Sequence, residues 1–353
     1  MIEKTFRFAS TLSVLAALSA CGGGGGGGGG TTPAPAATGV VVAPVVISTA
    51  STIVISAPAP TYAAGSEELA AFNKLNVERT FCGFGALAQS AALDKAAKAH
   101  ADWTIANNYT SGHFEVSGTL GFTGVTVSDR VVAAGYSTAN LFTASDENTE
   151  VVGVNLKTGV GYSRVRGLLN APYHAAGLMS GFRDVGFSVR NATDVASTFG
   201  ARVMLQVNPA YKTTDGPQLL AANEVNTYPC DNSSDVEPNL LNESPNPVPG
   251  RDLAKNPLGS SVYIAVRDGN TITIGSATMT NLATGMPVTL RTAVTAVNDP
   301  NKPNGVSYLK SNQSFVSADS PLSPNTKHQV VVTGTNNGIP FNRNFTFTTG
   351  LAS

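Results

Sequence analysis

Apolar and polar positions along the chain divide it into a helical part and a strand-rich part. Gly65-Ser66 opens the first helical stretch. Ser66 is placed to cap it, and Glu67 and Glu68 meet the positive end of the helix dipole in its first turn. Leu69, Phe72, Leu75 and Asn76 then recur at helical spacing until Cys82-Gly83. A second helix is predicted over Ala91–Ala106, with Leu93, Ala97, His100, Ala101 and Thr104 on one face and many alanines suited to close packing. A third is predicted over 164–170, stopped by Pro172. After it the period becomes two. Val185, Phe187 and Val189 alternate with Gly186, Ser188 and Arg190, and Val203, Leu205 and Val207 alternate with Met204 and Gln206. These runs read as antiparallel neighbours joined through 191–200. Helices followed by such strands predict a layered α/β domain over residues 65–230.

Residues 231–257 hold Pro238, Pro245, Pro247, Pro249 and Pro257 and read as a linker. Beyond them Ser261–Val266 and 271–274 flank Asp268-Gly269-Asn270, a hairpin signal. Short β-rich runs follow at 288–290, 329–332 and 344–348. With no helical period there, residues 258–353 predict an all-β sandwich of roughly 95 residues. A length of 353 residues fits two domains of this kind.

The N-terminus reads as an address. Lys4 and Arg7 precede an apolar run, and residues 1–20 form a signal peptide that ends in Leu18-Ser19-Ala20. Cys21 directly after it resembles the lipobox of bacterial lipoproteins, which implies acylation of Cys21 and a membrane partner held through lipid. The nine glycines of 22–30 then act as a flexible tether. The uncharged, Pro-interrupted stretch that follows extends that tether to residue 64, as a stalk with a strand able to dock on a neighbour. The expected localisation is exported and lipid-anchored to a bacterial membrane, at the cell surface or in the periplasm. With Cys21 lipidated, Cys82 and Cys230 remain as a pair in an oxidising compartment, where a disulfide is expected. That bond is expected to stabilise the first domain and leave the second alone.

A formal charge of −1 argues against a phosphate-backbone binder, so nucleic acid is not an expected partner. The four histidines can be weighed singly. His100, on the apolar face of the second helix, reads as a hydrogen-bonded core residue. His328 precedes a strand and reads as solvated. His113 in Ser111-Gly112-His113-Phe114 and His174 in Pro172-Tyr173-His174 sit in turns, where reactive groups reach solvent. Between them come Ser145-Asp146-Glu147-Asn148 and Glu150.

An ordered series then emerges: Leu75-Asn76 with Arg79, Leu93-Asp94 with His100, Gly112-His113, Arg130 with Ala134-Gly135-Tyr136, Glu147-Asn148, Ala171-Pro172-Tyr173-His174 and Asp184-Val185-Gly186-Phe187. Over about residues 66–210 this resembles the CAP superfamily (cysteine-rich secretory proteins, antigen 5, pathogenesis-related 1), in its bacterial secreted form. The resemblance implies an α-β-α sandwich with a shallow cleft, lined by His113, His174, Glu147 and Asn148. It also implies a divalent metal, such as zinc, on His113, His174 and Glu147. Where many members carry a second Glu on the helix before the last His, this chain has Arg164, Arg166 and Asn170; Glu150 is a candidate substitute. The 118–124 stretch reads as an extra loop able to cover or reshape the cleft. Residues 258–353 resemble bacterial Ig-like modules, through Ser320-Pro321-Leu322-Ser323-Pro324-Asn325-Thr326 and Phe345-Thr346-Phe347-Thr348-Thr349.

Two imidazoles, a carboxylate and water would satisfy zinc with an open position, and without metal a Glu beside a His makes an acid/base pair. No Gly-x-Ser-x-Gly elbow supplies a nucleophile. The expected function is therefore a surface protein that binds an apolar small molecule, a glycan, a metal or a protein in its cleft. The alternatives are a metal-dependent hydrolase of peptide or cell-wall material, and a structural surface protein with a vestigial cleft.

Overall fold

A computed structural model describes residues 49–352, apart from 110–111, 139–140, 154 and 196–199. The expected signal peptide, Cys21 and the tether as far as residue 48 lie outside the described residues. The chain is mixed α/β.

Helix α1 (Glu67–Phe81) begins as its sequence requires, with the Ser66 hydroxyl accepting from the Leu69 amide at 3.2 Å. After the short strand β1 (Ala88–Gln89) comes α2 (Ala91–Ala106), and then α3 (Val127–Ala134). Helix α3 escaped the periodicity because it is two turns long. Its signal is a capping box, in which Thr126 and Asp129 each satisfy the other's backbone amide. Strands β2 (Phe142–Ala144) and β3 (Glu147–Val152) lead into α4 (Val160–Asn170). Pro172 ends α4, yet it also starts α5 (Pro172–Leu178), since proline suits the first turn of a helix. His174 therefore lies on a helix rather than in the expected turn.

Strands β4 (Asp184–Asn191) and β5 (Arg202–Lys212) are antiparallel neighbours, as the period-two runs predict. They form a sheet in the order β1-β4-β5-β2, with β3 also on β5. Val203, Leu205 and Val207 of β5 pack with residues of α1, α4 and α5. Met204 packs with Ala101 and Ile105 of α2, and Ala210 with Leu93 of α2 and Val131 of α3. Alternate residues of one strand thus enter cores on opposite faces, so helices cover the sheet on both sides. Arg79, fully buried, ties the end of α1 to the end of α5. Its guanidinium donates to the carbonyls of Phe84, Gly85, Leu178 and Ser180.

The rest of the chain departs from the expected plan. Strand β6 (Val225–Tyr228), β7 (Ser233–Val236) and β8 (Asn239–Leu240) precede β9 (Leu258–Gly259), β10 (Ser261–Val266) and β11 (Ile272–Asn281). Then come β12 (Pro287–Val288), β13 (Val294–Thr295), β14 (Gln313–Ser317), β15 (Lys327–Asn336) and β16 (Ile339–Thr349). One sheet runs β13-β14-β10-β6 and a second runs β12-β11-β15-β16-β7, with β8 and β9 paired separately. The expected 268–270 hairpin is only a turn, because β10 and β11 pass into different sheets. The two sheets share a core of Val262, Ile264, Val266, Val316, Val330, Val332, Phe345 and Phe347.

The segment expected as a linker is woven into this body. Strand β7 adds to β16, β8 pairs with β9, and Leu240, Leu253 and Leu258 pack on Ala171. Prolines hide these strands from a periodicity reading because they shorten each run to two to four residues. The alternate residues of β10, Tyr263 and Ala265, enter the same core as α1, α4 and α5. The described residues from 49 to 352 accordingly form one compact unit.

The last part of the expected stalk is fastened down as well. Thr52 donates its amide to the Leu219 carbonyl at 2.9 Å, and Ala86 donates to Val54 at 2.8 Å. The Tyr62 hydroxyl bonds Asp94, which also accepts from the Phe187 amide of β4. Cys82 and Cys230 form the expected disulfide.

Candidate functional site

Two of the four histidines meet on one cleft of about 350 Å³. His113 reaches it from the loop after α2, and His174 from the first turn of α5. Asn148 and Glu150 come from β3. Arg164, Gly167 and Leu168 of α4, with Ala171 at its C-terminal cap, form one face at spacings of three and four. The opposite wall is residues 237, 239–245 and Tyr308, so most of it comes from the segment whose composition reads as a linker.

Each imidazole is held through Nδ1 by a buried carboxylate. His113 donates to Asp146 at 2.9 Å, and His174 donates to Glu243 at 3.1 Å. The other Asp146 oxygen accepts from Arg130 at 2.6 Å, and Arg130 also donates to the His113 carbonyl at 3.1 Å. Arg130 thereby fixes both the loop and its imidazole. These bonds leave each Nε2 directed away from the carboxylate that holds Nδ1. The Nε2 of His113 has no protein partner among the described residues. That of His174 lies 4.0 Å from Glu147.

Glu147 is beside His174 but buried beneath the cleft, 8% exposed. Gly177 of α5 makes room for it, because a Cβ there would stand 1.9 Å from the carboxylate. Burial pushes the Glu147 carboxyl up, against the pull of the His174 and His113 charges, to about 7. Burial acts the other way on His174, lowering it. The charge and hydrogen bond of Glu243, with Glu147 and Asp146 behind them, outweigh this and raise it to about 9. His113 is raised chiefly by its bond to Asp146. At neutral pH His174 is a cation, while Glu147 is shared between its two forms.

The second acid at the site is Glu243. Glu150 pairs with Arg202 at 2.8 Å. Arg166 and Asn170, which stand where a helical Glu was sought, instead clip the opposite wall to α4. Arg166 bonds Glu237 at 2.9 Å and Asn170 donates to the Asn239 carbonyl at 2.8 Å. Asp146 was within reach of sequence reasoning, one position from Glu147; Glu243 carried no local signal. Asn148 lines the cleft and reaches the Gly112 carbonyl at 3.5 Å.

The remaining histidines lie elsewhere. His100 is buried as expected, between Glu115 and the Gly112 carbonyl. His328 is not solvated: it is 1% exposed and stacks on Phe347, because the strand β15 carries it inward. The 118–124 loop folds back over α2, bonded through Thr119 to Trp103 and through Thr123 to Glu115, and contributes nothing to the cleft.

Among the described residues no group of three His, Cys, Asp or Glu gathers closely enough to hold a metal ion. Nor does any hydroxyl or thiol among them hydrogen-bond to His113 or His174, and the described cysteines are joined to each other. What the arrangement offers is two oriented ring nitrogens, a neutral or ionised carboxyl behind them, and amides and leucines around a cavity of small-molecule size. In comparisons with known proteins, no family model matches the chain and no curated protein matches it.

Proposed function

We propose that this chain is an exported, lipid-anchored surface protein that binds a small ligand in the His113/His174 cleft. In this reading residues 65–230 are a CAP-like α-β-α sandwich and residues 258–353 an Ig-like module. The observation that carries the binding role is the pair of imidazoles, each pinned by its own buried carboxylate and turned toward one cavity. Rings held this way are prearranged to meet a ligand through their Nε2 edges, which lowers the ordering cost of binding.

A fragment panel of carboxylates, amides and N-acetyl sugars, observed by saturation-transfer NMR on the exported chain, tests it. Gly167 lines the cleft, with open space where a Cβ would stand. Gly167→Leu therefore fills the cavity without touching the histidines. At least one fragment is expected to bind the wild type and to lose its signal in Gly167→Leu. Signals that survive the filled cleft, or no signal from any fragment, contradict the reading.

A metal-dependent hydrolase is the second reading. One feature favours it: carboxylates on Nδ1 are the usual supports of metal-binding histidines. Calorimetric titration of wild type and His174→Gln with zinc separates the two. Micromolar zinc binding lost in the variant, together with zinc-dependent peptide hydrolysis, supports the hydrolase.

A further inference from the structure

Among the described residues the charges around the cleft are paired, with one exception. Glu243 holds His174, Asp146 holds His113 and Arg130, Glu237 holds Arg166, and Glu150 holds Arg202. Arg164 projects from α4 into the same cavity and makes no hydrogen bond or ion pair among the described residues. Its Nε is buried and without a partner. A buried guanidinium nitrogen left unsatisfied costs free energy, and such a group calls for a partner supplied from outside. Glu237 is the charge nearest in effect to Arg164, yet burial is the dominant influence on it, and the Glu237 carboxylate is engaged with Arg166.

We propose that Arg164 is the anchor of an anion subsite, and that the ligand of this cleft is a small monoanionic carboxylate with an apolar portion. The inference rests on the binding role proposed above and names the chemistry of its ligand. A guanidinium matches a carboxylate through two parallel N–H···O bonds. A dianionic phosphate is disfavoured, because Glu150, Glu237 and Glu243 also line the cleft and repel a second negative charge. Leu168, Leu240, Leu241 and Tyr308 supply the apolar remainder of the wall.

The test uses 3-phenylpropanoate and its uncharged isostere 3-phenylpropanamide, titrated against the full exported chain. The acid is expected to bind on the order of tenfold more tightly than the amide, as for a charge-assisted bond of ordinary strength. Arg164→Gln abolishes that preference and Arg164→Lys restores part of it. Because Arg164 has no hydrogen-bond or ion-pair partner among the described residues, its loss should not lower the melting temperature, which the same samples report. Equal binding of acid and amide, or a preference that survives Arg164→Gln, overturns the anion subsite. Binding of both probes that Gly167→Leu removes and Arg164→Gln spares keeps the cleft role and rejects the carboxylate. A charge preference lost in Arg164→Gln yet unaffected by Gly167→Leu does the reverse. No binding of either probe rejects the carboxylate ligand, and the wider fragment panel then decides the cleft role alone.

Discussion

Glu147 shows how one side chain can couple the fold to the site. Its carboxyl is enclosed by α5, lies below His174, and is held up to about 7 by burial, against an unfolded value near 4.5. A folded-state value above the unfolded one means that the fold favours the protonated form. The stability this contributes is full below about pH 4.5 and is lost as pH rises through about 7. The groups facing Glu147 do not mask that window. His174 titrates higher, near 9, and Asp146 is held below the ordinary carboxylate range; Ser145 does not titrate there. His113 also faces it and is raised chiefly by its bond to Asp146. Urea midpoints measured from about pH 5 to 7 should fall in wild type more than in Glu147→Gln, which keeps the neutral form throughout. Parallel profiles would contradict the burial of this carboxyl.

Elements differ in how much of themselves they write into the sequence. Helices α1 and α2 were legible from Ser66, Leu69, Phe72 and the alanine face, since one stripe of each meets a sheet and the other meets water. Strands β4 and β5 were legible as a pair. His113, Glu147 and His174 could be singled out because ordered short motifs surround them. The opposite wall of the cleft was not legible. Glu243 meets His174 across 69 residues of sequence, from a run in which prolines leave no period to read. Strand β10 was legible over Ser261–Val266, but its place between two cores was not, because unbroken burial gives no alternation. Its even-numbered residues, Val262, Ile264 and Val266, face the second sheet, and Tyr263 and Ala265 face the helical layer. A strand shared between two cores leaves no plane along which they part. Calorimetry of the chain should therefore show one cooperative transition, and reducing Cys82–Cys230 should lower that single melting temperature rather than spare the C-terminal sheets. Two resolved endotherms, one of them insensitive to reductant, would speak against the shared core.

At the scale of the whole molecule, the cleft exists because the chain returns to it. Helices α4 and α5 with β3 form one side. The other side is the 237–245 segment, clipped to α4 by Arg166 and Asn170 and to α5 by Glu243. The strand-rich part thus completes the cleft rather than trailing behind it, and under the proposed binding role ligand capture and packing of the two parts are linked. The four histidines give an internal control for this picture, because two face the cleft and two are buried elsewhere. The deciding measurement is an NMR titration of the histidine-labelled chain with the tightest-binding fragment of the panel. The resonances of His113 and His174 should move together along one binding curve, while those of His100 and His328 stay in place. Movement of His113 without His174, or equal movement of all four, would contradict a common cleft.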